Sequence, residues 1–296
     1  MVRAPAKINL TLRVGPARAD GFHPLATVYQ AVSLYDDLTA TVAEPGVIEV
    51  QVEGEGVQDV PLDRSNLAVR AAELLAAEVG EPVGVSMVID KSIPVAAGLA
   101  GGSADAAAAL VACSALWGLE LLPSDLMPLA AKLGSDVPFA LIGGTALGSG
   151  RGESVAPALA RGTYHWALAL ADGGLSTPAV YTRYDELGPT PPDPFQVPDE
   201  LMNALRAADP GRLGPYLIND LEAAALDLRP DLAPLLQAGR DLGALGAVVS
   251  GSGPTCAFLA ADEKSAVQLT AELSAGDVCR SVRYACGPVS GARVIG

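Results

Sequence analysis

Positive charge is scarce in this chain. Against 34 Asp and Glu it carries 19 Lys and Arg, for a formal net charge of −15, and lysine occurs only at Lys7, Lys91, Lys132 and Lys264. A nucleic-acid backbone needs basic surface, so the deficit excludes a general nucleic-acid role. An anionic small ligand would have to be held by backbone amides and a few well-placed cations. Histidine is rarer still, at His23 and His165. The cysteines, Cys113, Cys256, Cys279 and Cys286, fit no common zinc spacing. They read as reduced, mostly buried thiols of a cytosolic protein, without a Cys279–Cys286 disulfide. The longest apolar runs carry glycine or polar breaks and fall short of a membrane span. Arg3, Lys7 and Asn9 interrupt the stretch after Met1, against a secretory leader. The expectation is a cytoplasmic protein that engages neither nucleic acid nor membrane.

What the chain has is core-forming material. Half of its 296 residues are hydrophobic, enough for one large or two medium domains. Alternating patterns predict strands over residues 2–14, 29–34, 38–42, 47–52 and 83–89, with turns at Pro45-Gly46 and Gly54. Helical periodicity covers residues 66–79, capped by Ser65 or Asn66, and a further helix opens at Pro123. A hairpin follows over residues 145–155. The pattern relaxes between residues 156 and 162, which places a boundary there and divides the chain into 1–158 and 159–296. The second part reads as strands over residues 163–171, 247–250, 255–260 and 281–284, and helices over 200–208, 231–242 and 262–275. A proline-rich surface loop spans residues 188–198. Early strands with segregated helices indicate an α+β fold.

The most specific local feature lies in residues 93–110, IPVAAGLAGGSADAAAAL. A strand runs into a loop with Gly98, Gly101 and Gly102, then into an alanine-rich helix for which Ser103 is the expected N-cap. Such a junction aims backbone N–H groups and the positive end of a helix dipole at one point, where a phosphate chain fits. Glycines before a helix also serve plain tight turns, but their density here favours an anion cradle. It is not a Walker A loop, since no Lys follows the glycines, and it lacks the Gly-x-Gly-x-x-Gly spacing of dinucleotide binders. Gly143 and Gly148 have a P-loop-like interval, but Ser149-Gly150 follows and the segment reads as strand and turn.

Pro94 to Ala107 resembles the second motif of the GHMP kinases, the small-molecule kinases that include galactokinase, homoserine kinase and mevalonate kinase. Residues 5–12, PAKINLTL, resemble the family's N-terminal motif, and residues 251–258, GSGPTCAF, its C-terminal glycine loop. Residues 17–38 and 134–153 narrow the resemblance to the branch whose acceptor is a cytidine-diphosphate-linked methylerythritol of non-mevalonate isoprenoid synthesis. The resemblance implies a ribosomal-S5-like first domain, a ferredoxin-like second domain and an active site in the cleft between them. It implies ATP as phosphoryl donor, Mg²⁺, a small-molecule acceptor, and a monomer or homodimer. Two alternatives stand beside it: a family member acting on mevalonate, phosphomevalonate or homoserine, and a non-catalytic nucleotide-binding relative.

Phosphoryl transfer to an alcohol needs a held triphosphate, an in-line nucleophilic oxygen and charge neutralisation. A carboxylate can accept the hydroxyl proton, and an ammonium can favour the developing alkoxide. The resemblance assigns these roles to Asp136 and Lys7, which on local pattern alone are a turn or cap residue and a solvated strand residue. It assigns the nucleotide to Pro94, Val95, Ala96, Ala97, Gly98, Leu99, Ala100, Gly101, Gly102, Ser103 and Ala104, with Asn66, otherwise an N-cap, toward the adenosine. Ser103 or Asp105 would reach the Mg²⁺. Asn9 shares the strand face of Lys7 by alternation and would position acceptor hydroxyls, or bond backbone at a sheet edge. The resemblance places Phe22 and His23 at the cytosine, with Tyr181 covering it. Without it His23 is a surface histidine and Tyr181 a core tyrosine. Phe22 stands where the family often has Tyr, which keeps stacking and loses a phenol hydrogen bond. Gly251, Ser252 and Gly253 would close on the substrate's phosphates, or form a simple hairpin turn. His165, inside a strand, reads as structural.

Overall fold

The structure, a computed structural model, describes residues 1–80, 82–190, 195–276 and 278–295. The first sheet begins with β1 (Val2–Val14), which turns back as β2 (Leu25–Val42). β3 (Ile48–Gly54) leads through α1 (Leu67–Val79) to β4 (Val85–Lys91). α2 (Gly101–Leu116), α3 (Pro123–Leu133) and α4 (Val137–Ile142) follow, then the hairpin β5 (Thr145–Ser149) and β6 (Ser154–Pro157). β7 (Tyr164–Leu170) opens a second sheet, and α5 (Thr177–Leu187), α6 (Asp199–Ala207) and α7 (Pro210–Leu213) come after it. The chain continues through β8 (Ile218–Asn219), α8 (Glu222–Leu228) and α9 (Leu232–Asp241). It ends with β9 (Gly246–Val249), β10 (Cys256–Ala260), α10 (Glu263–Ala275), β11 (Ser281–Gly287) and β12 (Arg293–Val294).

The first sheet runs β12-β1-β2-β4-β3, with β5 and β6 continuing from β2 and β8 beside β1. The second runs β11-β7-β10-β9 and is antiparallel at every pairing. This is an α+β architecture, and β8 and β12 return from the later half of the chain to the first sheet. The core crosses between the sheets. Ile8, Leu10, Met87 and Leu110 belong to one buried cluster with Trp166, Leu168, Ala257 and Leu259. The buried Trp166 indole donates to Gln30 Oε1 at 3.0 Å, so an aromatic of the second sheet satisfies its one polar atom on the first. The opposite face of the second sheet packs Phe258 against Leu235, Leu236, Leu269 and Leu273 of α9 and α10. α2 is apolar on nearly all sides and lies buried against β1, β2 and α1, which is why its sequence shows no amphipathic stripe.

Several sequence expectations need correction. The strands expected over residues 29–34 and 38–42 are one continuous strand, β2. Asp36 and Asp37 look like turn residues between them, yet both carboxylates are satisfied far away in sequence, Asp37 by a bidentate Arg3 at 2.8 and 2.7 Å and Asp36 by Lys91 at the end of β4 and by Ser92 and Ile93 just after it. Ser103 is not the N-cap of α2; the helix already starts at Gly101, and Ala100, at φ 59°, occupies the cap position. α5 and α8 escaped the periodicity reading, being short, proline-opened or only partly apolar on the buried face. The proline-rich loop over residues 188–198 falls partly outside the described residues. All four cysteines are free. His165 is half-buried on β7, where Nδ1 and the Tyr284 hydroxyl are 2.9 Å apart, away from the cleft described below. Among the described residues no helix is long and apolar enough to cross a membrane.

Candidate active site

A cleft of about 960 Å³ opens between the first sheet, the loop before α2 and the start of α5. Its floor is β1. Alternation sends Ile8 and Leu10 into the core and turns Lys7 and Asn9 toward the cleft. Lys7 is a buried lysine, and its Nζ donates to Asn9 Oδ1 at 2.8 Å. Asn9 Nδ2 donates to Thr27 Oγ1 at 2.9 Å, and Thr27 Oγ1 donates to Thr11 O at 2.7 Å. This chain fixes the rotamers of Lys7 and Asn9. It leaves Asn9 with its carbonyl engaged and one amide hydrogen uncommitted.

Asp136 sits immediately before α4, and its Oδ2 is 3.6 Å from Lys7 Nζ. The Asp136 side chain is 28% exposed and the Lys7 side chain 9%, so the carboxylate is open to the cleft while the ammonium is enclosed behind it. Tyr29, opposite Asn9 on β2, is buried beside them. Its phenol is pushed well above its ordinary range, first by burial and then by the Asp136 carboxylate it faces. It therefore stays a neutral hydrogen-bond donor.

The loop before α2 is held from several sides by its carbonyls. Lys7 N donates to Leu99 O at 3.1 Å, Thr255 N to Ala97 O at 3.3 Å, and Leu175 N to Ala96 O at 3.4 Å. The Ser250 hydroxyl donates to Gly98 O at 3.1 Å. With carbonyls directed into protein, the loop and the first turn of α2 present free N–H groups to the cleft. Gly98 is required by its φ of +77° and by crowding, since a Cβ there would stand 2.2 Å from Ser250 O. Gly251, at φ +58°, brings the later glycine loop to the same spot, and a Cβ there would approach Lys7 Nζ to 3.1 Å. Ser252 Oγ lies 2.8 Å from Thr177 Oγ1, which ties that loop to the start of α5.

The far end of the cleft is aromatic. His23 is buried rather than superficial; Nδ1 lies 2.8 Å from Gly15 O, and Nε2 lies 3.3 Å from Asp185 Oδ1. Its ring centroid is 5.3 Å from that of Tyr181 and 5.8 Å from that of Tyr184. Burial, with Asp136 adding, raises the Tyr181 phenol above its usual range. Phe22 is half exposed at the rim, with the Arg151 guanidinium 4.8 Å from its ring centroid.

Most of the expected residues line this one cleft, including Lys7, Asn9, Phe22, His23, Asn66, Asp136, Tyr181, Gly251 and Ser252. Leu99 and Ala104 do not; both side chains are fully buried in the core. Gly253 lies behind Gly251 and Ser252 rather than in the lining. Asn66 lines the cleft, but its Oδ1 accepts from Ala68 N and its Nδ2 donates to Pro61 O, both at 2.8 Å, so its polar atoms serve the cap of α1. Ser103 is half-buried in the first turn of α2. Asp105 is buried with Oδ1 lacking a partner.

The family profile of the GHMP kinases N terminal domain matches residues 66–144, and that of the GHMP kinases C terminal matches residues 201–277. A curated relative from Salinispora tropica, named 4-diphosphocytidyl-2-C-methyl-D-erythritol kinase, is 56% identical over 297 residues, with 99% of this chain and 93% of the relative covered. One of the same name from Mycobacterium tuberculosis is 54% identical over 295 residues, covering 99% and 92%. This chain belongs to the 4-diphosphocytidyl-2-C-methyl-D-erythritol kinase family of GHMP kinases. A crystal structure of a 4-(cytidine 5'-diphospho)-2C-methyl-D-erythritol kinase matches it at TM-score 0.77 and 35% identity, covering 97% of this chain and 98% of the other. An L. major mevalonate kinase, at 18% identity and TM-score 0.76 over 98% and 96% of the two chains, shares the fold.

In this member of the 4-diphosphocytidyl-2-C-methyl-D-erythritol kinases, several cleft residues were missed in the sequence. Tyr29, Arg151, Thr177 and Asp185 line it, and each gets there through tertiary placement. Only Tyr29 was reachable from the pattern, as the residue opposite Asn9 if β1 and β2 are paired in register.

Proposed function

We propose that this chain transfers the γ-phosphoryl group of ATP to the 2-hydroxyl of 4-diphosphocytidyl-2-C-methyl-D-erythritol. The products are the 2-phosphate and ADP, and the step belongs to the cytoplasmic, non-mevalonate route to isopentenyl diphosphate. The observation that carries this reading is the position of the Lys7–Asp136 pair, 3.6 Å apart, between an amide-presenting glycine loop and an aromatic pocket.

Asp136 is the base. Its exposed oxygen accepts the hydroxyl proton as the acceptor's hydroxyl oxygen attacks the γ-phosphorus and the bond from that phosphorus to the β–γ bridging oxygen, which leaves with ADP, breaks. Lys7 stabilises the carboxylate and the developing negative charge on the acceptor oxygen. Asn9 holds Lys7 in place and turns its remaining amide hydrogen toward the acceptor. The amides of residues 95–103 grip the nucleotide phosphates, and those of Gly251 and Ser252 meet phosphate from the opposite wall. No lysine is needed in the loop, which suits a chain so poor in positive charge.

His23 and Tyr181 take the cytosine. Gly15 O can only accept, so Nδ1 carries a hydrogen, and in the neutral tautomer with that hydrogen Nε2 is an acceptor beside a second acceptor, Asp185 Oδ1. A donor shared by both fits there, and the exocyclic amino group of cytosine is such a donor. Tyr181 supplies the stacking surface.

The residues beside the phosphate loop also fit a Mg²⁺ ion. Asp105 Oδ1 is a buried oxygen without a partner, and Ser103 is the third residue of α2. A hard dication takes one or two such oxygens and completes its shell with water and phosphate. Bound there, it would neutralise phosphate charge.

A coupled assay of ADP release tests the function. Turnover is expected with the cytidylyl substrate and to be at least about a hundredfold lower in kcat/KM with mevalonate, phosphomevalonate or homoserine. Faster turnover with any of these reassigns the acceptor. Nucleotide binding without ADP release from any alcohol makes the chain a non-catalytic relative.

A further inference from the structure

A buried ion cluster lies beneath the phosphate loop, and two of its three members, Asp36 and Lys91, have no role in the chemistry above. Asp36, Lys91 and Asp105 are 1%, 3% and 4% exposed. Lys91 Nζ donates to Asp36 Oδ2 at 2.6 Å and to Asp105 Oδ2 at 2.7 Å. Asp36 Oδ1 accepts from Ser92 N at 2.7 Å and Ile93 N at 2.8 Å. The cluster therefore touches the loop at both ends. Ser92 and Ile93 are where the chain leaves β4, and Asp105 lies in the second turn of α2.

Two further facts sharpen its meaning. Lys91 is the lysine closest to the loop in sequence, and both Lys91 and Asp105 line the cleft. Yet the ammonium is already shared between two carboxylates, so it is committed to protein rather than offered to phosphate. The helix start is also packed hard on this cluster: a Cβ at Gly101 would lie 3.1 Å from Ile93 Cγ2 and 3.5 Å from Lys91 Nζ. Displacing Ile93 or Lys91 would displace the first turn of α2, and with it the amides that face the nucleotide.

We propose that Asp36 and Lys91 are positioning residues for nucleotide binding, clamping the entry and exit of the phosphate loop to each other through Asp105. The proposal rests on the reading of that loop as the nucleotide site. The clamp works by holding two backbone amides at one end and a helix at the other, so its loss should loosen the loop before it affects the acceptor pocket. Removing Asp36 leaves Lys91 and Asp105 as a one-to-one pair, which is why the fold should survive.

The test compares Asp36→Ala and Asp36→Asn with the wild type. Asn retains a carbonyl acceptor for the amides of Ser92 and Ile93; Ala does not. Hydrogen exchange of the 92–100 backbone should quicken at least about tenfold in Asp36→Ala, with β1 still protected. The Kd for a non-hydrolysable ATP analogue, by calorimetry, should rise at least about tenfold, while the KM for the acceptor stays within about twofold. Asp36→Asn should recover most of both losses. Unchanged exchange over 92–100, or equal rises in both substrates' constants, overturns the clamp, whatever happens to Tm. If wild-type protein binds no nucleotide, the reading of the loop fails, and the exchange measurement separately decides whether Asp36 holds it.

Discussion

Lys7 Nζ stands 3.6 Å from Asp136 Oδ2 and 2.8 Å from Asn9 Oδ1, so the ammonium is braced by one neighbour while it faces the other. Residues 129 positions apart in sequence (136 − 7) are thus brought together where Gly251 and the loop before α2 both approach Lys7. Replacing Asp136 by Asn keeps the shape and removes the carboxylate proposed as the base. We expect Asp136→Asn to lower kcat by at least about two orders of magnitude and to leave nucleotide Kd within about twofold. Near-normal turnover would remove Asp136 from the mechanism.

His23 lies at the other end of the cleft, between Tyr181 and Asp185. His23→Ala deletes a ring and its polar edge there without reaching the loop before α2. The KM for the cytidylyl substrate should rise by about tenfold or more, against a change under about twofold for ATP. Steady-state kinetics with each substrate varied in turn decides it, and parallel changes in the two constants would refute the cytosine assignment.

Gly98 and Ala100 both have positive φ, at +77° and +59°, but they should respond in opposite ways. Gly98→Ala adds a Cβ 2.2 Å from Ser250 O in a backbone conformation that disfavours it. It should cost more than about 1 kcal/mol of stability and weaken ATP binding. Ala100→Gly relieves left-handed strain of about 1–2 kcal/mol and gives back about 0.4–1 kcal/mol to unfolded-chain entropy. Its Tm should therefore stay level or rise slightly. Thermal melts of the two variants suffice, and a clear loss of Tm in Ala100→Gly would contradict the strain argument.

Asp105 is driven up to about 7, chiefly by burial, with Lys91 opposing and Asp36 reinforcing the shift. The folded protein therefore holds this proton more tightly than the unfolded chain, where Asp titrates near about 3.9. Its contribution to stability is complete below that value and is lost as pH rises to about 7. In metal-free buffer, the Tm of wild type relative to Asp105→Asn should fall by at least about 2 °C between pH 5 and pH 8. A difference that is flat across this window would show that Asp105 is ionised throughout.

Much of the fold was readable because local chemistry dictates it. The alternation of β1, the periodicity of α1, the glycine-to-alanine switch into α2 and the proline that opens α3 each mark an element in the residues that compose it. α5 was not readable. Its buried residues, Val180 and Tyr184, are too few to form a stripe, and its place follows from packing against α8 and beneath His23. β2 was read as two pieces because Asp36 and Asp37 are turn formers by habit; only their partners Arg3, Lys91, Ser92 and Ile93 explain why the strand continues.

The sequence by itself determined a strand–loop–helix junction able to cradle phosphate and a net charge of −15, and it determined the order of three glycine-bearing or lysine-bearing motifs along the chain. These are matters of residue type and short spacing, and backbone sterics translate them directly into local shape. Tertiary structure alone decided that Lys7 faces Asp136, that Asp185 stands against His23, and that Lys91 is spent on two aspartates rather than on phosphate. Those relations depend on sheet register and on how a shared core draws distant segments together, and no local pattern of side chains encodes either.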